Sequence, residues 1–178
     1  MAKRNFVYIA TSLDGFITDK NGRIDWLQST PNPAHSDMGY NEFNKQIDAM
    51  VMGRNTFETI CGFDIDWPYT IPVFVLSNSL SEIPVEYDKK AFLVNGSLPE
   101  ILNQIHEKGY NHLYIDGGTT IQSFLKEGLI DDLIITTIPI LLGDGIPLFS
   151  KLNQSMALDL VSSKVYINQV VQSHYRKK

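Results

Sequence analysis

Apolar residues come along this chain in short runs. "NFVYIA" (5–10), "AMVMG" (49–53), "PVFVL" (72–76), "AFLV" (91–94), "HLYI" (112–115) and "LIITTIPI" (133–140) are rich in β-branched and aromatic residues, as buried strands are. Between them, apolar residues repeat at helical spacing in "MGYNEFNKQI" (38–47), "TFETI" (56–60), "PEILNQIHEK" (99–108) and "TIQSFLKE" (120–127). The alternation predicts an α/β fold with a largely parallel sheet flanked by helices. The final stretch, "LDLVSSKVYINQVVQSHYRKK", reads instead as two strands with no helix between them. An antiparallel hairpin there would make the sheet mixed. No repeat, linker or low-complexity tract divides the chain, so residues 1–178 are taken as a single domain.

Local chemistry marks one helix start. Ser97 and Glu100 have capping-box spacing with Pro99 in the first turn, and Leu98, Ile101, Leu102 and Ile105 then repeat so as to face the sheet. Composition adds limits. With 178 residues, 43% of them hydrophobic, the chain is long enough for one substantial core. A net charge of -5 and a pI near 5.3 argue against a nucleic-acid or anionic-membrane partner and leave a small molecule as the expected one. The lone Cys61 fits a reducing compartment, and "FVYIA" is too short for a signal-peptide core, so a cytoplasmic protein is expected. His35, His106, His112 and His174 show no metal-ligand spacing with each other or with Cys61, so no metal is expected.

Three strand ends carry the candidate chemistry. In "LYIDGGTTIQSFL", Gly117, Gly118, Thr119 and Thr120 stand between a strand and a helix. A helix start exposed there offers unpaired N–H groups to an anion, and glycine lets phosphate oxygens reach the backbone. The alternative is a tight turn in which Thr119 acts as the N-cap. "AMVMGRNTFETI" repeats the arrangement with Gly53, Arg54, Asn55 and Thr56, and Arg54 adds a charge able to hold phosphate or, alternatively, a surface ion pair. Two such junctions suit a ligand with several phosphates lying across the strand ends. The third, "PVFVLSNS", finishes in Ser77 and Asn78 without the acidic residue that would select NAD, which favours NADPH over NADH; the alternative is a plain turn. The G-x-G-x-x-G fingerprint of ordinary dehydrogenases is absent after the first strand.

In order, "ATSLDGFI", "MVMGRNTFETI", "PVFVLSNS", "LYIDGGTTIQSFLKEGLIDDLIITTIPILLGDGIPLF" and the terminal hairpin span nearly the whole chain. With them the chain resembles the dihydrofolate reductase superfamily. It is most similar to the branch containing the C-terminal reductase domain of the bifunctional riboflavin biosynthesis deaminase–reductase. The resemblance implies a dihydrofolate reductase-like mixed sheet with NADPH across its strand ends. By position, Gly53–Thr56 would hold the 2′-phosphate and pyrophosphate side, Ser77 and Asn78 would border the adenosine, and Gly117–Thr120 would cradle the pyrophosphate. Ala10 and Ile17 would line the nicotinamide pocket. "DKNGRIDWL" matches a mobile loop closing over the site, with Trp26 near the pocket mouth. The resemblance also implies a homodimer.

Hydride transfer asks the protein to align the nicotinamide and help protonate a heteroatom. Asp14 in "SLDG" follows the first strand and matches the riboflavin-branch aspartate, which makes it the candidate catalytic residue; an Asp-Gly turn is its plainer reading. Where dihydrofolate reductases carry a pterin-gripping carboxylate, this chain offers Asp37 and Glu42, and Asp37 also suits a helix start. For a substrate's ribose phosphate no basic pocket is evident beyond Lys20 and Arg23, whose plainer reading is solvated loop charges. The expectation is an NADPH-dependent reductase of a ribosylaminopyrimidine phosphate or similar small heterocycle. The alternatives are a dihydrofolate or pterin reductase and a non-catalytic NADP-binding module.

Overall fold

A computed structural model describes residues 2–178. Ten strands and four α-helices follow the chain: β1 (Arg4–Ser12), β2 (Phe16–Asp19), α1 (Tyr40–Asn44), β3 (Ala49–Gly53), α2 (Arg54–Cys61), β4 (Val73–Leu76), β5 (Ala91–Val94), α3 (Leu98–Glu107), β6 (His112–Asp116), α4 (Gly118–Lys126), β7 (Asp132–Ile138), β8 (Gly145–Pro147), β9 (Leu158–Tyr166) and β10 (Val170–Lys177). Eight of the strands form one sheet in the order β5-β4-β3-β6-β1-β7-β10-β9. The pairs from β5 to β7 are parallel; β10 is antiparallel to both β7 and β9. The mostly parallel mixed sheet and its closing hairpin are therefore those the residue pattern predicts.

The period-two alternation of each strand feeds two cores. Val7, Val51, Phe74, Leu113 and Ile115 face one side, where Ile101 and Ile105 of α3 and Ile121 and Phe124 of α4 pack on them. Phe6, Met50, Met52, Val73 and Tyr114 face the other, against Phe43 of α1 and Phe57 of α2. The start of α3 bears out its sequence signature: Glu100 Oε2 accepts from the Ser97 N–H at 2.8 Å and from its hydroxyl at 2.7 Å.

Two features depart from the sequence pattern. Helix α1 is shorter than the periodic stretch 38–47: Gly39 at its N-cap has φ +89°, so helical backbone begins only at Tyr40, and Lys45 already closes it. Strands β2 and β8 form a separate antiparallel pair against the main sheet. Among the described residues no helix is long and apolar enough to cross a membrane.

Candidate functional site

Strands β3 and β6 are neighbours in the sheet, and each runs directly into a helix, α2 and α4. Neither helix has a side-chain N-cap: Gly53 and Gly117 occupy those positions. The first-turn N–H groups of both helices, which have no intrahelical partner, therefore lie side by side. Thr119 is the second residue of α4, and its carbonyl accepts a hydrogen bond from the Ser123 hydroxyl at 2.9 Å. The reading of Thr119 as an N-cap does not hold.

The glycines have a second role beside exposure of the backbone. A Cβ on Gly53 would fall 2.7 Å from Thr120 Oγ1, and one on Gly117 would fall 2.5 Å from Thr56 Oγ1. Each junction thus inserts a threonine hydroxyl against the other's glycine. Gly117 also has φ +93°, which L side chains adopt only under strain. At Gly118 a Cβ would meet Ile17 Cδ1 at 2.6 Å.

Both junctions open into a groove of about 970 Å³, at the upper end of ligand-pocket sizes. It spans the strand ends from β5 to β1, four interstrand spacings or roughly 19 Å. Ser77, Asn78, Asn95 and Gly96 line one end. Arg54 reaches that end, where its Nη1 donates to Ser79 Oγ at 2.9 Å. The Ser77 hydroxyl accepts from the N–H groups of Ser79 at 3.2 Å and Leu80 at 2.9 Å, so it shapes the turn that presents Ser79. Arg54 also lies 3.7 Å from Glu58, so the ion-pair reading of its charge holds, on a side chain that also lines the groove.

At the other end the walls are Tyr8, Ala10, Ile24, Leu27, Ile60, Phe63 and Tyr114. The tyrosine hydroxyls there are already used: Tyr8 donates to the Met38 carbonyl at 2.8 Å and Tyr114 to the Tyr8 carbonyl at 2.9 Å. Asp116, the last residue of β6, lines the groove beside them. Its Oδ1 accepts from the Gly117 N–H at 2.9 Å, and burial pushes the carboxyl above its ordinary range.

Of the sequence candidates, Ala10, Ile17, Gly53, Arg54, Asn55, Thr56, Ser77, Asn78 and Gly117–Thr120 all line this groove. Asp14, Trp26, Asp37 and Glu42 do not. The Asp14 carboxylate accepts from the Ser12 hydroxyl at 2.5 Å and from the N–H groups of Gly143 at 2.8 Å and Leu142 at 3.1 Å. Those bonds, the Ser12 hydroxyl foremost, hold it below the ordinary aspartate range and favour the ionised form, which has no proton to donate. Trp26 lies in a 3-10 turn (Asp25–Ser29), where successive side chains diverge by about a third of a turn. It packs with Ile138 and Val170, while its neighbours Ile24 and Leu27 face the groove. Asp37 caps α1, accepting from the N–H groups of Asn41 at 2.9 Å and Gly39 at 3.0 Å. Glu42 pairs with Lys45 on the exposed surface at 2.7 Å.

The groove also contains residues that sequence reasoning missed. Asp116 adjoins the glycine pair, but a strand pattern does not reveal which face its last residue presents. Thr59, Ile60 and Phe63 carry helical spacing from Thr56, a signal that would have extended the site along α2 and just past its end.

Comparison with known proteins gives the lineage. The family described as the RibD C-terminal domain matches residues 6–172. A proposed riboflavin biosynthesis protein of Shewanella sp. PV-4 is 51% identical, with a TM-score of 0.95 over 100% of this chain and 99% of its own. Two more distant structures share the fold. The deaminase/5-amino-6-(5-phosphoribosylamino)uracil reductase of Thermotoga maritima is 15% identical, with a TM-score of 0.74 over 99% of this chain and 57% of its own. A dihydrofolate reductase of Enterococcus faecalis, complexed with NADP(H) and RAB-propyl, is 18% identical, with a TM-score of 0.68 over 98% and 96%. The fold is dihydrofolate reductase-like.

Proposed function

Since this chain belongs to the RibD C-terminal domain family, we propose that it is an NADPH-dependent reductase acting on a small nitrogen heterocycle of the aminopyrimidine or pteridine kind. The observation that carries this reading is the pair of uncapped helix starts, α2 and α4, interlocked at adjacent strand ends and opening into one elongated groove. Converging N–H groups and the positive ends of two helix dipoles suit a pyrophosphate. Arg54, with Ser77 and Asn78 beside it and no lining carboxylate at that end, suits a 2′-phosphate. The donor set therefore fits NADPH, held by Gly53–Thr56, Ser77, Asn78 and Gly117–Thr120.

Bound NADPH would supply a hydride. The protein's part is to hold the acceptor carbon in place and bring a proton to the neighbouring nitrogen, so that C=N becomes CH–NH. Ala10 and Ile17 would wall the nicotinamide, and Ile24, Leu27, Ile60 and Phe63 would keep water from the reacting atoms. Asp116 is the candidate proton source. Its position on the groove wall and its raised pKa keep a larger fraction protonated near neutrality than an exposed aspartate would hold.

Titration of the purified protein with NADPH and NADH tests the cofactor assignment. NADPH is expected to bind at least ~10-fold more tightly, about 1.4 kcal/mol, and Arg54→Ala to remove most of that preference while leaving NADH affinity nearly unchanged. Equal affinities for the two cofactors would refute the 2′-phosphate site.

A further inference from the structure

We propose, building on the reductase reading, that the substrate end of this groove takes an uncharged amino-heterocycle without a phosphate, one of whose N–H groups is donated to Asp116. The charge inventory carries the inference. Among the described residues, only Arg54 and Asp116 are charged side chains on the groove wall. Arg54 lies at the far end, bonded to Ser79 and paired with Glu58. That leaves the substrate end with one acidic side chain and no cation.

The cations that a phosphorylated substrate would need are near but turned away. Gly22 and Ile24 face the groove, whereas Arg23 between them does not line it. Its Nε lies 4.0 Å from Asp19, whose Oδ1 also accepts the N–H groups of Asn21 and Arg23 and so holds the turn in that arrangement. Lys20 is exposed in the same turn and does not line the groove. The hydroxyls that might have bound phosphate oxygens are spent as well: those of Tyr8, Tyr114 and Thr59 all donate to backbone carbonyls.

A phosphomonoester, with its ~1.5–2 negative charges, would meet apolar walls and no cation at this end. Burying such a charge without a partner is disfavoured. An aminopyrimidine or pteridine ring meets the opposite conditions. Its faces fit between Ile24, Leu27, Ile60 and Phe63, and an N–H fits the free lone pairs of Asp116.

Matched ligands that differ only in the phosphate test this. The protein loaded with NADP+ is titrated calorimetrically with 5-amino-6-ribitylaminouracil and its 5′-phosphate, and with 7,8-dihydroneopterin and its 3′-phosphate. At least one unphosphorylated member is expected to bind ~30-fold or more tightly than its phosphate. Leu27→Arg, which adds a cation to that wall, is expected to narrow the gap by ~10-fold or more. Equal or tighter binding of the phosphates, or binding of no member of either pair, overturns the proposal. In both cases NADP+ binding measured in the loading step shows whether the reductase reading still stands. Failure to load NADP+ overturns the two together.

Discussion

Burial pushes the Asp116 carboxyl above its ordinary range, while the hydrogen bond from the Gly117 N–H pulls against it. A carboxyl with a raised pKa in the folded state binds its proton more tightly there than in the unfolded chain. Stability therefore falls as pH rises from the ordinary aspartate range, about 3.9, through the raised folded value, and the cost persists above it. Asp116→Asn removes that cost. The variant is expected to melt above the parent at pH 7–8, with the difference closing as pH drops below the ordinary range, in melting curves taken across pH. If Asp116 supplies the proton, the same variant loses turnover by ~10²–10⁴-fold while NADPH affinity holds; unchanged turnover would remove it from the chemistry. This aspartate was hidden in the sequence because a run of five strand residues fixes alternation but not which way its last side chain turns. Asp14 drew attention because it follows the first strand. Its carboxylate is committed to N–H groups 128 and 129 residues further on, a pairing that no local pattern contains.

The central strands β3, β4 and β6 of the main sheet were legible as elements because they bury both faces, and runs such as "AMVMG" and "HLYI" can do little else. The junctions before α2 and α4 were legible for a related reason: a glycine between a strand and a periodic helix marks a turn, though whether Thr119 capped α4 was settled only by Gly117 taking the N-cap position. Strands β2 and β8 were not, being four and three residues long and stabilised by pairing across more than a hundred positions of sequence. The loop between β7 and β8 is tied to the end of β1 through Asp14, Ser12 and the N–H groups of Leu142 and Gly143. Asp14→Asn is expected to speed hydrogen exchange at Leu142 and Gly143 by ~10-fold or more, the scale of a lost charge-assisted bond. Rates unchanged at those two amides would show that the tether contributes nothing to the loop.

Across the whole molecule, the groove and a buried ion cluster sit on different parts of the sheet. The groove crosses the strand ends from β5 to β1. At the first residue of β7, Asp132 is fully buried and meets Arg4, His174 and Arg176. Burial pushes the Asp132 carboxyl up, but His174, Arg176 and Arg4 together outweigh it and hold the group below its ordinary range. A lowered folded-state value contributes stability that is present above the ordinary aspartate range and is lost as pH falls through the lowered one. Asp132→Asn is expected to cost ~1–3 kcal/mol at pH 7, a figure reduced by the partial exposure of Arg4 and Arg176. Its acid-side stability curve should also be flatter than the parent's in denaturant titrations from pH 7 to 3. Cofactor binding by the folded variant should be unaffected, since none of the four residues borders the groove.

The threonine of each junction fills the hollow left by the other's missing side chain, so neither turn can drift alone through evolution. In homologous proteins, a larger residue in place of Gly53 should arrive with a smaller one at 120, and changes at 117 should accompany changes at 56. Such paired drift would be inherited as a unit, passing the interlocked junctions down the lineage whole even as the opposite end of the cleft diversifies.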